Sequence, residues 1–333
     1  MDFHCFKEFD KARTGGQMVS ECIINALGRI GNVHMHTFDW YDEDNIFLRS
    51  LIMRKEYRMA KQLVNERHFV YGVGEIGTFD YVGPPIEFRG SLIGRIQNIG
   101  KKTIGRILWQ KDDNLKLVAY CSEYIRRKFV SAGHIDGKVI FPPAFRNYNN
   151  DLSKKGDLIL TLSRISPEKN IELVGEISNN FRNEADFVVM GYMEPRNRKY
   201  LESLQNVYPN LKIQTDVSEQ EKYDTLSRAK ILFHPTINEP WGITKIEGMS
   251  AGAYPLVHNS GGSPEGIPRE FVFSDFEDAS QRISVFLQNY SVNKARELMG
   301  IANKFNSQDF ENTIIQLISD VKVMRREENQ SKD

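Results

Sequence analysis

The amino-acid sequence predicts an α/β protein of two domains, each a parallel sheet covered by helices on both faces. Three observations carry this expectation. Short runs of β-branched and aromatic residues alternate with helical patterns along most of the chain, which is how parallel sheets are written in sequence. The length of 333 residues fits two domains of about 150 residues each. Between the halves, Pro142-Pro143 and the polar residues 147–156 form the best linker in the chain. The expected organisation is an N-terminal domain over 1–145, a linker over 146–156, a second domain over 157–310 and a C-terminal helix with a polar tail over 311–333.

Composition narrows the classes further. Hydrophobic residues make up 40% and charged residues 26% of the chain, enough for a sizeable core and unlike a disordered protein. Glycines and prolines show no period, and no apolar run approaches the 18 residues of a transmembrane helix. The start, Met1-Asp2-Phe3-His4-Cys5, lacks the basic and apolar regions of a signal peptide, so a cytoplasmic protein is expected. Cys5, Cys22 and Cys121 are too widely spaced for a disulfide framework or a zinc knuckle.

A net charge of zero hides an asymmetry. Residues 1–150 hold 22 Lys and Arg against 17 Asp and Glu, and most of the excess lies in 49–128, with 16 basic against 8 acidic residues. A basic half draws anionic partners, here an anionic membrane surface with a peripheral location. Nucleic acid is not expected, because the basic residues lack interleaved aromatics and no nucleic-acid motif appears.

In the first half, strands are predicted at 3–6, 33–38, 68–71, 117–120 and 139–141. Gly15-Gly16 reads as a turn before a helix over 18–27, and 47–65 reads as a helix with apolar residues recurring at three and four. Ser122, followed by Glu123, is the expected N-cap of a basic helix ending near Gly133. The second half is more regular. Strands are predicted at 158–162, 187–190, 211–214, 231–234, 254–257 and 271–273. Helices fall at 171–181, 197–207, 219–229 and 243–251, and three more follow from Phe276 to about Arg325. Two such domains would leave a cleft between the carboxyl ends of their sheets, where ligands of open α/β sheets bind.

Several motifs compete for the chemistry. Gly72-Val73-Gly74-Glu75-Ile76-Gly77 has the spacing of a dinucleotide fingerprint, but Pro84-Pro85 soon after forbids the helix that fingerprint must open. It reads instead as a glycine-rich loop. Asp42-Glu43-Asp44 reads as a solvated acidic turn rather than a metal-binding pair, and His34 with His36 lacks a third ligand. No metal site is expected.

The stronger signals lie in the second half. Arg164 and Lys169 follow the first strand of that domain, at the carboxyl edge of its sheet, where two fixed cations suit a diphosphate. The run from His234 to Gly252 again joins a strand end to a helix start. Glu239 lies in its loop, Gly242 allows close backbone approach, and the amides from Ile243 and Thr244 open a helix that also carries Glu247. A helix start favours phosphate, while the two acids suit the hydroxyls of ribose or sugar. A second glycine turn, Asn259-Ser260-Gly261-Gly262-Ser263-Pro264-Glu265, comes after the next strand.

These three elements resemble the pattern of glycosyltransferase family 4, the glycosyl transferases group 1 domain. Its members carry an Arg and, five residues on, a Lys preceded by Glu; here these are Arg164, Glu168 and Lys169. They carry a Glu-x7-Glu element, here Glu239 and Glu247, inside a string that runs through Gly242 and ends at Gly252, and then a Gly-Gly…Glu turn. The likeness covers about 157–325. In the first half Gly15-Gly16 is similar to the family's glycine loop, 117–123 to its last N-domain strand and 139–143 to its exit.

The resemblance implies the GT-B fold, with two Rossmann-like doubly wound domains facing each other across a cleft and C-terminal helices packing back toward the N-domain. It implies a retaining, metal-independent hexosyltransferase using a UDP- or GDP-linked sugar as co-substrate and no cofactor. The acceptor would be a sugar- or lipid-linked hydroxyl, such as a glycan precursor. Arg164 and Lys169 would hold the diphosphate with the amides near Ile243 and Thr244, Glu247 the ribose and Glu239 the sugar; Gly15 and Gly16 would border the donor. A His of the N-domain stands near the reacting carbon in many members; His68 is the candidate here, beside its reading as a core or surface histidine. A degenerate nucleotide-sugar-binding subunit and a GT-B phosphorylase or epimerase are the alternatives.

Overall fold

The computed structural model describes residues 2–7, 15–37, 46–66, 68–71, 79–82 and 117–330. It divides into two compact units: Met1–Phe141 with Gln308–Asp333, and Pro142–Ser307.

The first unit is built on a parallel six-stranded sheet in the order β2-β1-β3-β4-β5-β6. Its strands are β1 (Asp2–Lys7), β2 (Asn32–Thr37), β3 (Phe69–Tyr71), β4 (Phe79–Val82), β5 (Leu117–Tyr120) and β6 (Lys138–Val139). Helix α1 (Gly15–Gly28) follows β1 and α2 (Ile46–Asn65) follows β2. Alternation along β1 separates two buried sets. Phe3 and Cys5 are fully buried, as are Ile23, Ala26 and Leu27 of α1, while Phe6 clusters with Ala60 and Val64 of α2 and with Val70. Helix α3 (Glu123–Ser131) starts at Ser122, whose hydroxyl accepts the Ile125 amide at 3.1 Å.

Two local expectations change. Gly15 and Gly16 lie inside α1 rather than in a turn ahead of it. Residues 79–82 form a strand that their own sequence did not announce: four residues show too little alternation, and the parallel ladder to β5, from Phe79↔Leu117 to Val82↔Tyr120, supplies the missing order. The Gly72–Gly77 and Asp42–Asp44 motifs lie outside the described residues.

The second unit holds β7 (Gly156–Leu162), β8 (Asp186–Gly191), β9 (Leu211–Thr215), β10 (Ala229–His234), β11 (Tyr254–His258) and β12 (Val272–Phe273). All are parallel, in the order β12-β11-β10-β7-β8-β9. The connecting helices are α4 (Ile171–Asn180), α5 (Arg198–Val207), α6 (Glu219–Arg228) and α7 (Ile243–Ser250), followed by α8 (Phe276–Gln288) and α9 (Val292–Ala302). Helix α10 (Ser307–Gln330) closes the chain. Ser218 opens α6 with a capping box completed by Glu221, and Asp275 and Ser291 cap α8 and α9. The core on one face joins Ile159, Ile231, Phe233, Leu256 and Phe273 with α4 and α8.

The polar stretch 147–156 is anchored to this unit rather than hanging between elements. Tyr148 is buried and stacks on Tyr223 of α6, ring centroids 4.5 Å apart. The Asn150 amide donates to the carbonyls of Ser227 and Ala251, both at 3.1 Å. Cys5, Cys22 and Cys121 are buried free thiols, and among the described residues no helix is long and apolar enough to cross a membrane.

Candidate functional site

The strand order of the second unit locates the site before any side chain is considered. From β7 the chain moves outward through β8 to β9, then returns to place β10 on the other flank of β7. The connections leaving the carboxyl ends of β7 and β10 therefore run in opposite directions and open a crevice, the position where ligands of doubly wound sheets bind. Ser163-Arg164 follows β7 and Pro235 to Gly242 follows β10, so two of the motif clusters meet there.

Both loops are held by backbone geometry. Ser163 and Ile165 donate their amides to the carbonyls of Met190 and Tyr192. Gly191 leaves β8 so close to this loop that a Cβ on it would lie 1.7 Å from the Ser163 carbonyl oxygen, so no other residue fits. Asn170, in the left-handed region at φ 54°, donates its side-chain amide to the Pro235 carbonyl at 3.3 Å and ties the two loops together.

Lys169 ends the short turn Pro167–Lys169 and donates to Glu239 Oε2 at 2.7 Å, both side chains about 16% exposed. His234, the last residue of β10, lies beside them with Nε2 3.8 Å from the same carboxylate oxygen. Burial would raise the Glu239 carboxyl, but the Lys169 charge and the His234 ring outweigh it and hold the group below its ordinary value. Burial pushes the His234 imidazole down to about 4, against the pull of Glu239. At neutral pH the cluster is thus a cation, an anion and a neutral ring. His234 Nδ1 lies 3.4 Å from Thr244 Oγ1, while its Nε2 makes no hydrogen bond.

Gly242, at φ 79°, is the N-cap of α7 and has no side chain to cap the helix. Helix α7 thus opens directly after the loop that carries Glu239, with no side-chain cap on its first amides, an arrangement that favours a negative group. Ile243 and Thr244 form the first helical positions, and Lys245 follows them, completely buried.

The remaining predicted residues are placed differently. Arg164 is half exposed and paired with Glu194 at 3.2 Å and Glu168 at 3.4 Å; it stands at the rim, free to turn toward a ligand only by exchanging these partners. Glu247 is buried on the side of α7 that faces α6, 3.4 Å from Arg146 Nε and 3.5 Å from Lys222 Nζ. Gly15 and Gly16 begin α1 after β1, at the carboxyl edge of the other sheet.

His68 immediately precedes β3 and so stands at the amino edge of the first sheet. There its ring meets His4 edge-on at 4.8 Å, and His4 stacks on His34 and His36. This imidazole cluster includes the His34 and His36 pair, and among the described residues no group of three His, Cys, Asp or Glu is arranged to hold a metal.

The sequence reading passed over Arg146, Lys222, His234 and Lys245. Only Lys245 carried a signal, as the one basic residue of a helix whose residues 245–250 are all buried.

Comparison with known proteins gives a consistent picture. Residues 146–305 match the family of glycosyl transferases group 1. The chain is 24% identical over 185 residues to the GDP-Man:Man(3)GlcNAc(2)-PP-Dol alpha-1,2-mannosyltransferase of Dictyostelium discoideum, covering 49% of this chain and 37% of the relative. It is 28% identical over 144 residues to the glycogen synthase of Mycoplasma mobile, covering 42% and 30%. The chain thus spans about a third of the length of these curated relatives. Among solved structures, Anabaena HepE in complex with UDP and glucose is similar, with a TM-score of 0.70 at 14% identity over 97% of this chain and all of that one. Sucrose-phosphate synthase from Thermosynechococcus elongatus has a TM-score of 0.74 at 12% identity over 97% and 99%. At these identities the likeness is one of fold: two Rossmann-like α/β units of the GT-B kind.

Proposed function

With residues 146–305 belonging to the glycosyl transferases group 1 family, we propose that this protein is a retaining glycosyltransferase that moves a hexose from a UDP- or GDP-linked sugar to an acceptor hydroxyl. The observation that carries the reading is the Lys169–Glu239 pair beside the open amides of α7, at the mouth of the β7/β10 crevice. It sets a cation and helix dipole for a diphosphate next to a carboxylate for sugar hydroxyls.

In this reading the bond between the sugar's anomeric carbon and the diphosphate oxygen breaks as the acceptor oxygen bonds to that carbon on the same face. The acceptor proton leaves with the departing diphosphate. Negative charge grows on the diphosphate in the transition state, where Lys169, Arg164 and the amides of Ile243 and Thr244 stabilise it; fixed donors of this kind contribute several kcal/mol. Glu239 holds the sugar hydroxyls. Glu247, oriented by Arg146 and Lys222, accepts from the ribose. These cations take the part a metal plays elsewhere, so the proposed transfer proceeds unchanged in chelator.

The acceptor is proposed to be a glycan precursor presented at an anionic membrane. Helix α2 supports this: Leu48 and Leu51 are each 46% exposed and Met59 38%, beside the exposed Arg54, Lys55 and Arg58. Basic residues at such a surface contribute about 1 kcal/mol each. Co-sedimentation with anionic vesicles at low salt, lost at high salt, is the expected result; no binding at low salt would favour a soluble acceptor.

The deciding experiment is thermal-shift screening against UDP-, GDP- and ADP-sugars, followed by assay of nucleotide release and of the product's anomeric configuration. A ligand at a hundred times its Kd stabilises the fold by about 2.7 kcal/mol. Binding without transfer to any acceptor or water would replace the enzyme with a nucleotide-sugar-binding subunit, and inversion of the anomeric carbon would overturn the retaining step.

A further inference from the structure

Lys245 is a fully buried lysine with a defined set of acceptors. Its ammonium donates to the carbonyls of Gly262 at 3.0 Å, Ser263 at 2.9 Å and Glu265 at 2.7 Å. Three carbonyls take its three protons, and the nitrogen sits 3.6 Å from the centre of the Trp241 ring. Burying an ammonium is costly unless its hydrogen bonds are all made. For α7 as a helix an apolar residue at this position would serve, so the lysine answers a need outside the helix.

That need is visible in the turn it grips. The Gly262 amide donates to the Glu239 carbonyl at 2.7 Å, and the Asn238 amide donates to Ser260 Oγ at 2.8 Å. Gly261, at φ 65°, backs so closely onto the Asn238–Glu239 peptide that a Cβ would lie 2.4 Å from the Glu239 carbonyl oxygen. The 260–265 turn is therefore the support behind Glu239.

We infer that Lys245 is a positioning residue of the sugar site: it clamps the 262–265 turn to the start of α7 and, through that turn, fixes the peptide that carries Glu239. The inference rests on the donor-site reading above. It assigns Lys245 no contact with nucleotide or sugar, which separates it from Lys169 and Arg164. A lost clamp lets Glu239 drift relative to the diphosphate site, and a displacement of about 1 Å in a catalytic group costs roughly 100-fold in rate.

Lys245→Met keeps the length and removes the three donors; Lys245→Gln keeps a single donor group and serves if the first variant folds poorly, each being assayed well below its own melting midpoint. The expected result is a kcat for nucleotide-sugar turnover lowered roughly 100-fold in Lys245→Met, with affinity for the nucleoside diphosphate within about threefold of wild type. Coupling supplies the readout that a purely structural role would not move. If Lys245 acts through Glu239, the Lys245→Met/Glu239→Gln double variant is no slower than Glu239→Gln alone. Multiplicative losses in the double variant, or an unchanged kcat in a folded single variant, would overturn the inference. Should the wild-type chain neither bind nor turn over any nucleotide sugar, the donor-site reading itself fails. Amide exchange then judges the clamp: faster exchange of 260–265 in the lysine variants supports it, and unchanged exchange overturns it.

Discussion

The two sheets have the same number of strands and the same parallel sense, yet they use charge in opposite ways. In the second unit the central strands are covered on both faces, and polar groups sink into that cover at one edge: Lys169, Glu239, His234 and Lys245 crowd the carboxyl ends of β7 and β10. In the first, the edge strand β2 is largely exposed, and the imidazoles of β1, β2 and the residue before β3 gather as a patch across neighbouring strands. A parallel sheet tolerates buried charge where loops can supply partners. The strand order places that tolerance at the reversal between β7 and β10.

The largest expected effect tests whether the two sheets share one constraint. Gly191, at the end of β8, and Gly137, just before β6, each pass so close to neighbouring backbone that a Cβ would lie 1.7 Å from the Ser163 oxygen or 2.1 Å from the Val118 oxygen. Gly191→Ala and Gly137→Ala are each expected to destabilise by about 4 kcal/mol or more, read by denaturant melts. Equal losses with turnover impaired only in Gly191→Ala would sharpen the contrast; a mild effect at either position would break it.

Next comes the buried ion pair. Lys169→Met leaves the Glu239 carboxylate mostly buried without its cation, at a cost of about 2–3 kcal/mol in stability, and nucleoside diphosphate affinity should fall about tenfold or more. Glu239→Gln should instead slow turnover while nucleotide binding stays close to wild type, since the side chain serves the sugar. Titration calorimetry and steady-state kinetics on the two variants check this split.

Acid should weaken both units, for the same reason at different depths. Unfolded imidazoles take up protons near pH 6.5, whereas burial holds His4 and His36 in the first unit and His258 in the second below that value, and His234 down at about 4. Protons then favour the unfolded chain: stability is complete above pH 6.5 and falls as the pH drops toward the folded-state values. His234 alone accounts for a loss on the order of 1 kcal/mol between pH 7.5 and 5.5. Melting curves over that range, repeated on His234→Asn and His4→Asn, should show each substitution flattening the profile; a profile unchanged in both would dissolve the parallel.

The smallest effect is expected at an ion pair on the surface. Arg126 lies 2.6 Å from Asp136 and also pairs with Glu123. Exposed pairs of this kind contribute little, so Arg126→Ala should melt with wild type, in contrast to Lys169→Met.

Much of this was legible in the sequence. The six strands of the second unit stand within about two residues of their predicted positions, because most are buried apolar runs, and β9 an alternating one, bounded by turn chemistry. The Ser122 cap and the helix opening after Gly242 were readable for the same local reason. Residues 79–82 were not, since a strand of four residues draws its order from the neighbour it pairs with. The place of His68 at the amino end of β3 was not legible either, since the sheet assigns the two ends of a strand to opposite edges and neighbouring residues do not record which edge is which.

By itself, then, the sequence determined which segments become strands and helices, where the second unit's loops fall and which residues those loops carry. These are properties of neighbouring residues, written in periodicity and in the special demands of Gly, Pro and capping side chains. Only the tertiary structure decided that Lys169 meets Glu239 across 70 positions, that Glu247 turns toward α6, and that Lys245 spends its charge on three carbonyls of a turn about 20 residues away. Those pairings follow from strand order and from the requirement that buried charges find partners. A requirement of that kind is met by whatever the fold brings near, and no local pattern records it.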